Sequence, residues 1–568
     1  MYHSQRHTKG GRLFMPGSTK PPDLFDAVVV GGGLAGLAAA RRLVLGGCRV
    51  ALVERNPRVG GHLLPFERGR RVFEVGVHYI ADTGHGSLWQ RAWSELQAEP
   101  PQCDALDDPF ERIVAENGSL LRGWSGAQGY RRTFEEQMEQ VRCLAPNHAA
   151  AVQKLRLDYE LIWRVASSLP FPVTRTSSAC HLMGLVIKET RVAARFARLA
   201  GMTAQHYFAE HLGLPSAVCE YLLLHHVLIG CSPENMDALR YLLVQRYYLA
   251  GACTVRGGGN AVIRALHDPA VHVFDDCAVL DVRDDIPCRV ASNERLFSLR
   301  LQKGMSGGGW RVLHTKNLIW TPDPRQLVRV CSFGLPLVLR LQLAMARNPH
   351  ALVVGYFGVD GNLANCGLAH ANFWLHGSMG ASESYEASDL LNLAKRATVF
   401  VSPSGLGNRA DVVRDNQGVV QAMFLVPPTT TLWGGGSPST YRLSQASGGY
   451  RRSYLEQKRV VLEVLRERLE AALPGLRGRL SWQELGTPLT HHRFLHSDSL
   501  GGYGLASTRS DLFLTRPSYR TGRHGLYLAG AHTLPSHGLL TSLLSGVGAG
   551  RTVVASEKRH VPGCQDAH

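Results

Sequence analysis

The clearest chemical arrangement in the chain is the run Gly31-Gly-Gly33-Leu-Ala-Gly36, with the acid Glu54 about eighteen positions further on. This GxGxxG spacing follows a short apolar run and opens a helix-forming one, the context in which it binds a dinucleotide pyrophosphate. Gly31 permits the tight turn, Gly33 lets the backbone approach the phosphates, and Gly36 allows close packing of helix on sheet. Leu34 and Ala35 stand at the helix N-terminus, whose dipole stabilises phosphate charge. A carboxylate at Glu54 can accept hydrogen bonds from ribose hydroxyls and repels a 2′-phosphate, which argues against NADP.

These residues need a strand, a helix and a second strand to hold them. Residues 25–30 form an apolar run of strand length, 37–45 are strong helix formers ended by Gly46-Gly47, and 49–53 supply the next strand. The βαβ crossover implies a parallel sheet. Residues 86–245 read as largely helical, with helices expected over 134–143, 149–167 and 218–229. Strand patterns return at 271–274, 279–282, 297–301 and 318–320, placed to rejoin the first sheet. Further strands are expected at 352–357, 398–401 and 422–426. A long helix over about 450–473 carries Leu455, Leu462, Leu465, Leu469 and Leu473 on one face, read as core packing. The glycine triplets at 257–259, 307–309 and 434–436 read as turns, and residues 1–22 as a mobile tail.

Composition bounds the function. The chain has 568 residues, 45% hydrophobic and 19% charged, with 60 glycines, which argues against a disordered, coiled-coil or collagen-like protein. It has no apolar run of eighteen residues free of charges or breaks and no signal-like apolar segment near residue 1, so the reading is intracellular and non-spanning. The net charge of +16 comes mainly from arginine, since only nine of the 62 basic residues are lysine. The arginine clusters are too short for a nucleic-acid stripe, and no RNP, zinc-finger or basic-zipper pattern accompanies them. The twelve cysteines lie singly, without CxxC pairs, which suits a reducing cytosol. The pairs His225-His226 and His491-His492 lack ligand spacing, and no metal site is expected.

After Glu54 the chain continues Arg55-Asn-Pro-Arg58-Val-Gly60-Gly61-His62, which resembles the ExxxRxGG extension of the two-domain FAD oxidoreductases. Arg58, Gly60 and Gly61 match it. The two glycines let a second loop press against the pyrophosphate. The resemblance points to FAD rather than NAD, and Arg55 and His62 go to the cofactor with their loop.

Over about residues 24–554 the chain resembles the phytoene desaturase, carotenoid isomerase and retinol saturase group of the amine oxidase superfamily. The likeness rests on Phe73-Glu-Val-Gly-Val-His-Tyr-Ile80, on Tyr248-Leu-Ala-Gly251 with Arg256-Gly-Gly-Gly259, and on Gly486-Thr-Pro-Leu-Thr490 with Gly501-Gly-Tyr-Gly504. The closing Leu526-Tyr-Leu-Ala-Gly530…Pro535-Ser-His-Gly538-Leu-Leu-Thr541 is similar to the group's second FAD motif, which implies cofactor contacts from Gly530, Ala531, Gly538, Leu539 and Leu540. Val279 is assigned to FAD on the same ground. Ala531 stands where many relatives carry an acid or polar residue, Val255-Arg256 replaces a proline-containing pair, and Thr321-Pro-Asp-Pro324 replaces a small polar run.

The resemblance implies an α/β fold: a Rossmann-like FAD-binding domain of glutathione-reductase type with an inserted, helix-rich α+β substrate domain. The first is expected from residues 24–85, 246–330 and 484–560, the second from 86–245 and 331–483, with tails at 1–23 and 561–568. Leu222, Leu223, Leu224, Val227, Leu228 and Ile229 are expected in the core, with an apolar substrate tunnel as their other reading.

The flavin of such enzymes exchanges hydride, and the protein supplies orientation and any matching proton. His78 is the first candidate for that role because its segment should pass beside the isoalloxazine. Tyr503 and His492 are the next candidates. The implied function is saturation, desaturation or isomerisation of carbon-carbon double bonds in a hydrophobic polyene or unsaturated lipid such as a retinoid, carotenoid or fatty chain. Its partner is that lipid, with peripheral contact to a membrane and a cytoplasmic location. Two alternatives share the fold: a flavin amine oxidase, which usually shows a buried lysine and a Gly-Glu pair at the last motif, and a non-catalytic prenyl-binding carrier, whose nucleotide fingerprint has usually decayed. Here the fingerprint is intact and the pair is Gly530-Ala531.

Overall fold

The computed structural model describes residues 23–116, 129–168, 184, 189–285, 296–304, 309–403, 417–433, 452–496, 499–508 and 516–559. Two sheets organise them. In the first, strand β1 (Leu24–Val30) passes through helix α1 (Leu34–Val44) to strand β2 (Val50–Val53), which pairs parallel to β1. On the other side of β1 lies the parallel strand Trp310–Trp320, and against that the late strand Leu526–Leu528, also parallel. Cys277–Asp285 and Leu296–Lys303 extend the sheet antiparallel, and His272–Phe274 closes the far edge beside β2.

The register explains where a ligand must sit. Val30 pairs with both Val53 and Trp320, and Trp320 with Leu528, so four carboxyl ends finish level. Gly31, Glu54 and Thr321 emerge along one edge, with Gly530 just beyond, although Thr321 and Gly530 are hundreds of residues from the first two in the chain. Ligands of open α/β sheets bind outside this edge.

Helix Leu539–Arg559 covers α1, and a Cβ on its Gly546 would fall 2.2 Å from the Ala35 carbonyl oxygen. The stretch Leu539–Lys558 is apolar and long enough to cross a membrane, which the sequence reading did not single out, but 61% of its 18-residue window is buried against the protein. It is built as a core helix.

The second sheet runs in the order Leu480–Gly486, Ala351–Asp360, Gln417–Val426, Val399–Ser402, Asn372–His376, Glu111–Ala115 and Gly129–Tyr130. Helices including Phe134–Leu144, Ala149–Ser168 and Ala238–Tyr248 form one continuous core with its Trp374, Phe400 and Met423 face. Helix Arg452–Ala472 packs on the opposite face beside Val353, Phe357 and Phe424.

Several sequence expectations change in detail. Leu455 is 48% exposed, so the buried stripe of the long helix is Leu462, Leu465, Leu469 and the following Leu473. The helix expected over 218–229 is two, Ser216–Leu223 and His226–Ile229, separated at Leu224-His225. The region 86–245 contributes strands to the second sheet as well as helices, because Glu111–Ala115 and Gly129–Tyr130 pair there. The triplet at 257–259 opens helix Gly258–Leu266, whereas 434–436 and most of 307–309 lie outside the described residues, as do residues 1–22 and 560–568. The boundary expected at 484 falls inside strand Leu480–Gly486, and helix Leu337–Met345, expected with the substrate domain, packs on the first sheet through Leu339 and Leu343.

Candidate active site

The glycine turn has the conformation and spacing its ligand requires. Gly31 sits at φ +96°, where side chains are strained, and its amide donates to the Val53 carbonyl at 2.8 Å. A Cβ on Gly36 would lie 1.9 Å from the Gly31 carbonyl oxygen, so this glycine sets the approach of α1 to the turn. A Cβ on Gly33 would meet nothing within 4 Å. Helix α1 has no side-chain cap, which leaves its first amides for another acceptor.

The second loop closes on the first. Gly60 donates to the Gly32 carbonyl at 2.7 Å, and a Cβ on Gly61 would stand 3.1 Å from Gly33 Cα. Glu54 is buried at the end of β2, where Oε2 accepts the Gly32 amide at 2.7 Å and Oε1 accepts the Asn56 amide at 2.7 Å. A carboxylate retains acceptor capacity beyond these bonds.

The later motifs interlock with this frame. Glu74 accepts the Gly259 amide at 3.1 Å, and a Cβ on Gly258 would fall 1.8 Å from Glu74 Oε1. Burial pushes the Glu74 carboxyl up to about 7. A Cβ on Gly504 would lie 2.4 Å from the Ala531 carbonyl oxygen, and buried Arg516 donates to Ala531 at 2.9 Å and to Leu505 at 2.7 Å.

Between these parts runs one cavity of about 690 Å³. Its lining includes Gly31, Gly33, Leu34, Ala35, Glu54, Arg55, Gly61, His62, Val279, Gly530, Ala531, Gly538 and Leu539. From the core of the second sheet and its helices it also takes an apolar wall of Val227, Leu228, Leu352, Val354, Phe400 and Met423. His78, His492 and Tyr503 all line the cavity. Gly36 and Gly60 do not; they act through packing. Arg58 is exposed and Leu540 packs against the core, so neither lines the cavity. Of the apolar run, Leu222, Leu223, Leu224 and Ile229 belong to the core, and only Val227 and Leu228 reach the cavity.

The cavity wall is rich in imidazole. His62 Nε2, His78 Nδ1 and His491 Nε2 are buried without a hydrogen-bond partner among the described residues. Burial holds His62 and His78 down at about 4, and burial with the neighbouring His62 does the same for His491. All three are neutral near pH 7. His78 therefore offers a neutral ring rather than a stored imidazolium. Tyr503 donates its hydroxyl to the Val227 carbonyl at 2.8 Å, which fixes the ring against Gly230. His491, His532, Tyr79 and Tyr248 also line the cavity and were not singled out as site residues. The adjacency of Tyr79 to His78, and of Tyr248 to its glycine segment, was the available signal.

The open Gly33 surface, the uncapped helix and the orphaned imidazole nitrogens fit a bound FAD. A family model described as NAD(P)-binding Rossmann-like domain matches residues 29–96. The all-trans-retinol 13,14-reductase of Danio rerio is 21% identical over 513 residues, spanning 84% of this chain and 77% of that protein. The chloroplastic prolycopene isomerase of Daucus carota is 22% identical over 551 residues, 94% of this chain and 80% of its own. The chain is an FAD-dependent oxidoreductase similar to the retinol saturase and carotenoid isomerase group. Among solved structures, a putrescine oxidase variant superposes on the enzyme with a TM-score of 0.58 at 14% identity, covering 94% of this chain and 99% of that one. Cyclohexylamine oxidase from Brevibacterium oxydans gives 0.56 at 15% identity, covering 95% and 100%. These neighbours share the α/β fold.

Proposed function

We propose that the enzyme adds, removes or shifts hydrogen at a carbon-carbon double bond of a hydrophobic polyene or unsaturated lipid. The observation that carries this is the continuity of the cavity: the nucleotide cradle opens into a lobe walled by Val227, Leu228, Leu352, Val354, Phe400 and Met423. An apolar wall favours a hydrocarbon chain by burial, at about 25 cal/mol per Å². None of the residues described along the cavity is lysine, and Ala531 occupies the last motif, which disfavours the amine oxidase reading. The intact glycine cradle disfavours a non-catalytic carrier.

When bound, FAD supplies two-electron hydride chemistry. Gly31, Gly33, Glu54 and Gly61 would hold its nucleotide end, and Gly530, Ala531, Gly538 and Leu539 its other end. His78 faces the shared space with an unpartnered Nδ1 and orients or steadies charge on the reacting carbons. Tyr503 shapes the wall, and His492 stands beside the cofactor loop. The same reading assigns the first sheet to the FAD domain and the second, with its helices, to the substrate domain.

Peripheral membrane contact belongs to this proposal. Helix Leu337–Met345 exposes Leu337, Val338, Leu341 and Met345, each more than half accessible, while Arg340 and Arg347 are exposed on and beside it. An apolar face flanked by arginine suits an anionic bilayer, with the helix lying in its surface. The test of function is anaerobic turnover of all-trans-retinol and prolycopene by the flavin-loaded protein, read by chromatography.

A further inference from the structure

Outside the cofactor cradle the fold buries a carboxylate whose described side-chain partners are a tyrosine and a histidine. Glu111 opens strand Glu111–Ala115 and is 0% exposed. Its Oε1 accepts the Tyr79 hydroxyl at 2.6 Å, and its Oε2 meets His225 Nε2 at 2.6 Å. The second contact requires a proton between nitrogen and oxygen. Tyr248 stacks on Tyr79 with ring centroids 4.4 Å apart and planes at 22°. Tyr130 covers His225 at 4.2 Å, and His225 Nδ1 has no partner among the described residues.

The placement is directional. Tyr79 and Tyr248 line the cavity, whereas Glu111 and His225 lie behind them in the sealed core. Burial pushes both tyrosine hydroxyls well above their ordinary value, with Glu111 adding to the effect, so both keep their protons at neutral pH. Burying an acid and an imidazole is costly unless they are hydrogen-bonded, and short contacts to an ionisable group are strong ones. A wall that served only to pack would not need this line of four polar groups.

We infer that Tyr248 is the proton donor to the substrate double bond, with Tyr79, Glu111 and His225 as the positioning residues behind it. This rests on the proposed double-bond chemistry. Saturation adds a hydride, from two-electron-reduced flavin, to one carbon and a proton to the other. In the proton step the Tyr248 O–H bond breaks as the C–H bond forms. The Tyr248 oxygen is reprotonated from water of the cavity it lines, while Glu111, holding the Tyr79 hydroxyl on Oε1 and His225 on Oε2, fixes the ring that Tyr248 stacks on. In desaturation the Tyr248 oxygen takes the proton instead.

The test compares flavin-loaded wild type with Tyr248→Phe and Glu111→Gln, using all-trans-retinol and prolycopene as probes in H2O and D2O. Tyr248→Phe is expected to keep flavin occupancy and KM within about twofold while kcat falls roughly 10²-fold. Wild-type saturation product made in D2O carries solvent deuterium at the carbon that receives the proton. Infrared spectra of the oxidised, substrate-free protein read the line without turnover: the Glu111 carboxyl band, identified by its loss in Glu111→Gln, shifts in Tyr79→Phe. Should Glu111→Gln fail to fold, His225→Gln identifies the band by perturbing the same carboxyl. A Tyr248→Phe enzyme that matches wild type on a polyene overturns the assignment of Tyr248 and leaves the function standing. A flavin-loaded wild type inert toward every polyene overturns both.

Discussion

Glu74 and Gly259 join two segments 185 positions apart, through a 3.1 Å bond from the Gly259 amide to the Glu74 carboxylate. That bond fastens the segment carrying His78 to the helix packed beneath the cofactor loop, where Ile263 would lie 2.7 Å from a Cβ on Gly60. Burial raises the Glu74 carboxyl from 4.5 to about 7, so folding favours its protonated form. The linked stability is full below pH 4.5 and is lost as pH rises through 7, a loss of about 3 kcal/mol. Glu74→Gln should flatten this part of the stability profile, measured as Tm between pH 5 and 8; a variant profile parallel to wild type would contradict the assignment.

The imidazoles of the cavity act at the other end of the pH scale. His62, His78 and His491 are held near 4, below the ordinary 6.5, so the unfolded chain binds protons that the folded one refuses. Their contribution is complete above pH 6.5 and is lost as pH falls toward 4. Unloaded protein should therefore lose Tm steeply from pH 6.5 to 4.5, and His62→Gln should lessen the slope.

Gly36 tests the cradle. Alanine there would place Cβ 1.9 Å from the Gly31 carbonyl oxygen, forcing helix and turn apart at a cost of about 1–3 kcal/mol. Gly36→Ala should lower the flavin absorbance per mole of folded protein, whereas Gly84→Ala, with open space at its Cβ, should not.

His78→Gln replaces an imidazole with an unpartnered nitrogen by an amide of similar size. The expected result is kcat lower by roughly 10²-fold with full FAD. Loss of flavin occupancy at unchanged turnover per flavin would make the residue structural.

The cradle was legible because glycine spacing and the terminal acid have local causes, and the structure places Gly31, Gly33, Glu54 and Gly61 together. The second motif was legible for the same reason, although Leu540 turns into the core. The Glu111–His225 contact was not, since it spans 114 positions and neither residue lies in a spacing that announces chemistry. The helix expected over 218–229 breaks at Leu224-His225, where His225 meets Glu111 in the core, a contact that no local spacing announces.

The membrane face makes a separate prediction. Leu337→Asp with Leu341→Asp changes exposed side chains only, so folding and flavin content should hold while binding to anionic vesicles at low salt falls at least tenfold. Wild-type binding should weaken as ionic strength rises. Equal vesicle binding by the double variant would exclude this helix as the contact.

A flavin held by the first sheet is proposed to act on a double bond held by the second. The most direct measurement mixes anaerobically reduced, flavin-loaded protein with all-trans-retinol or prolycopene, and follows flavin absorbance together with the mass and geometry of the product. The expected result is flavin-dependent conversion: a product two hydrogens heavier as the flavin reoxidises, or a cis–trans isomer of unchanged mass. Flavin-loaded protein that leaves both polyenes and an unsaturated fatty acid unchanged, yet oxidises putrescine or cyclohexylamine, would contradict it.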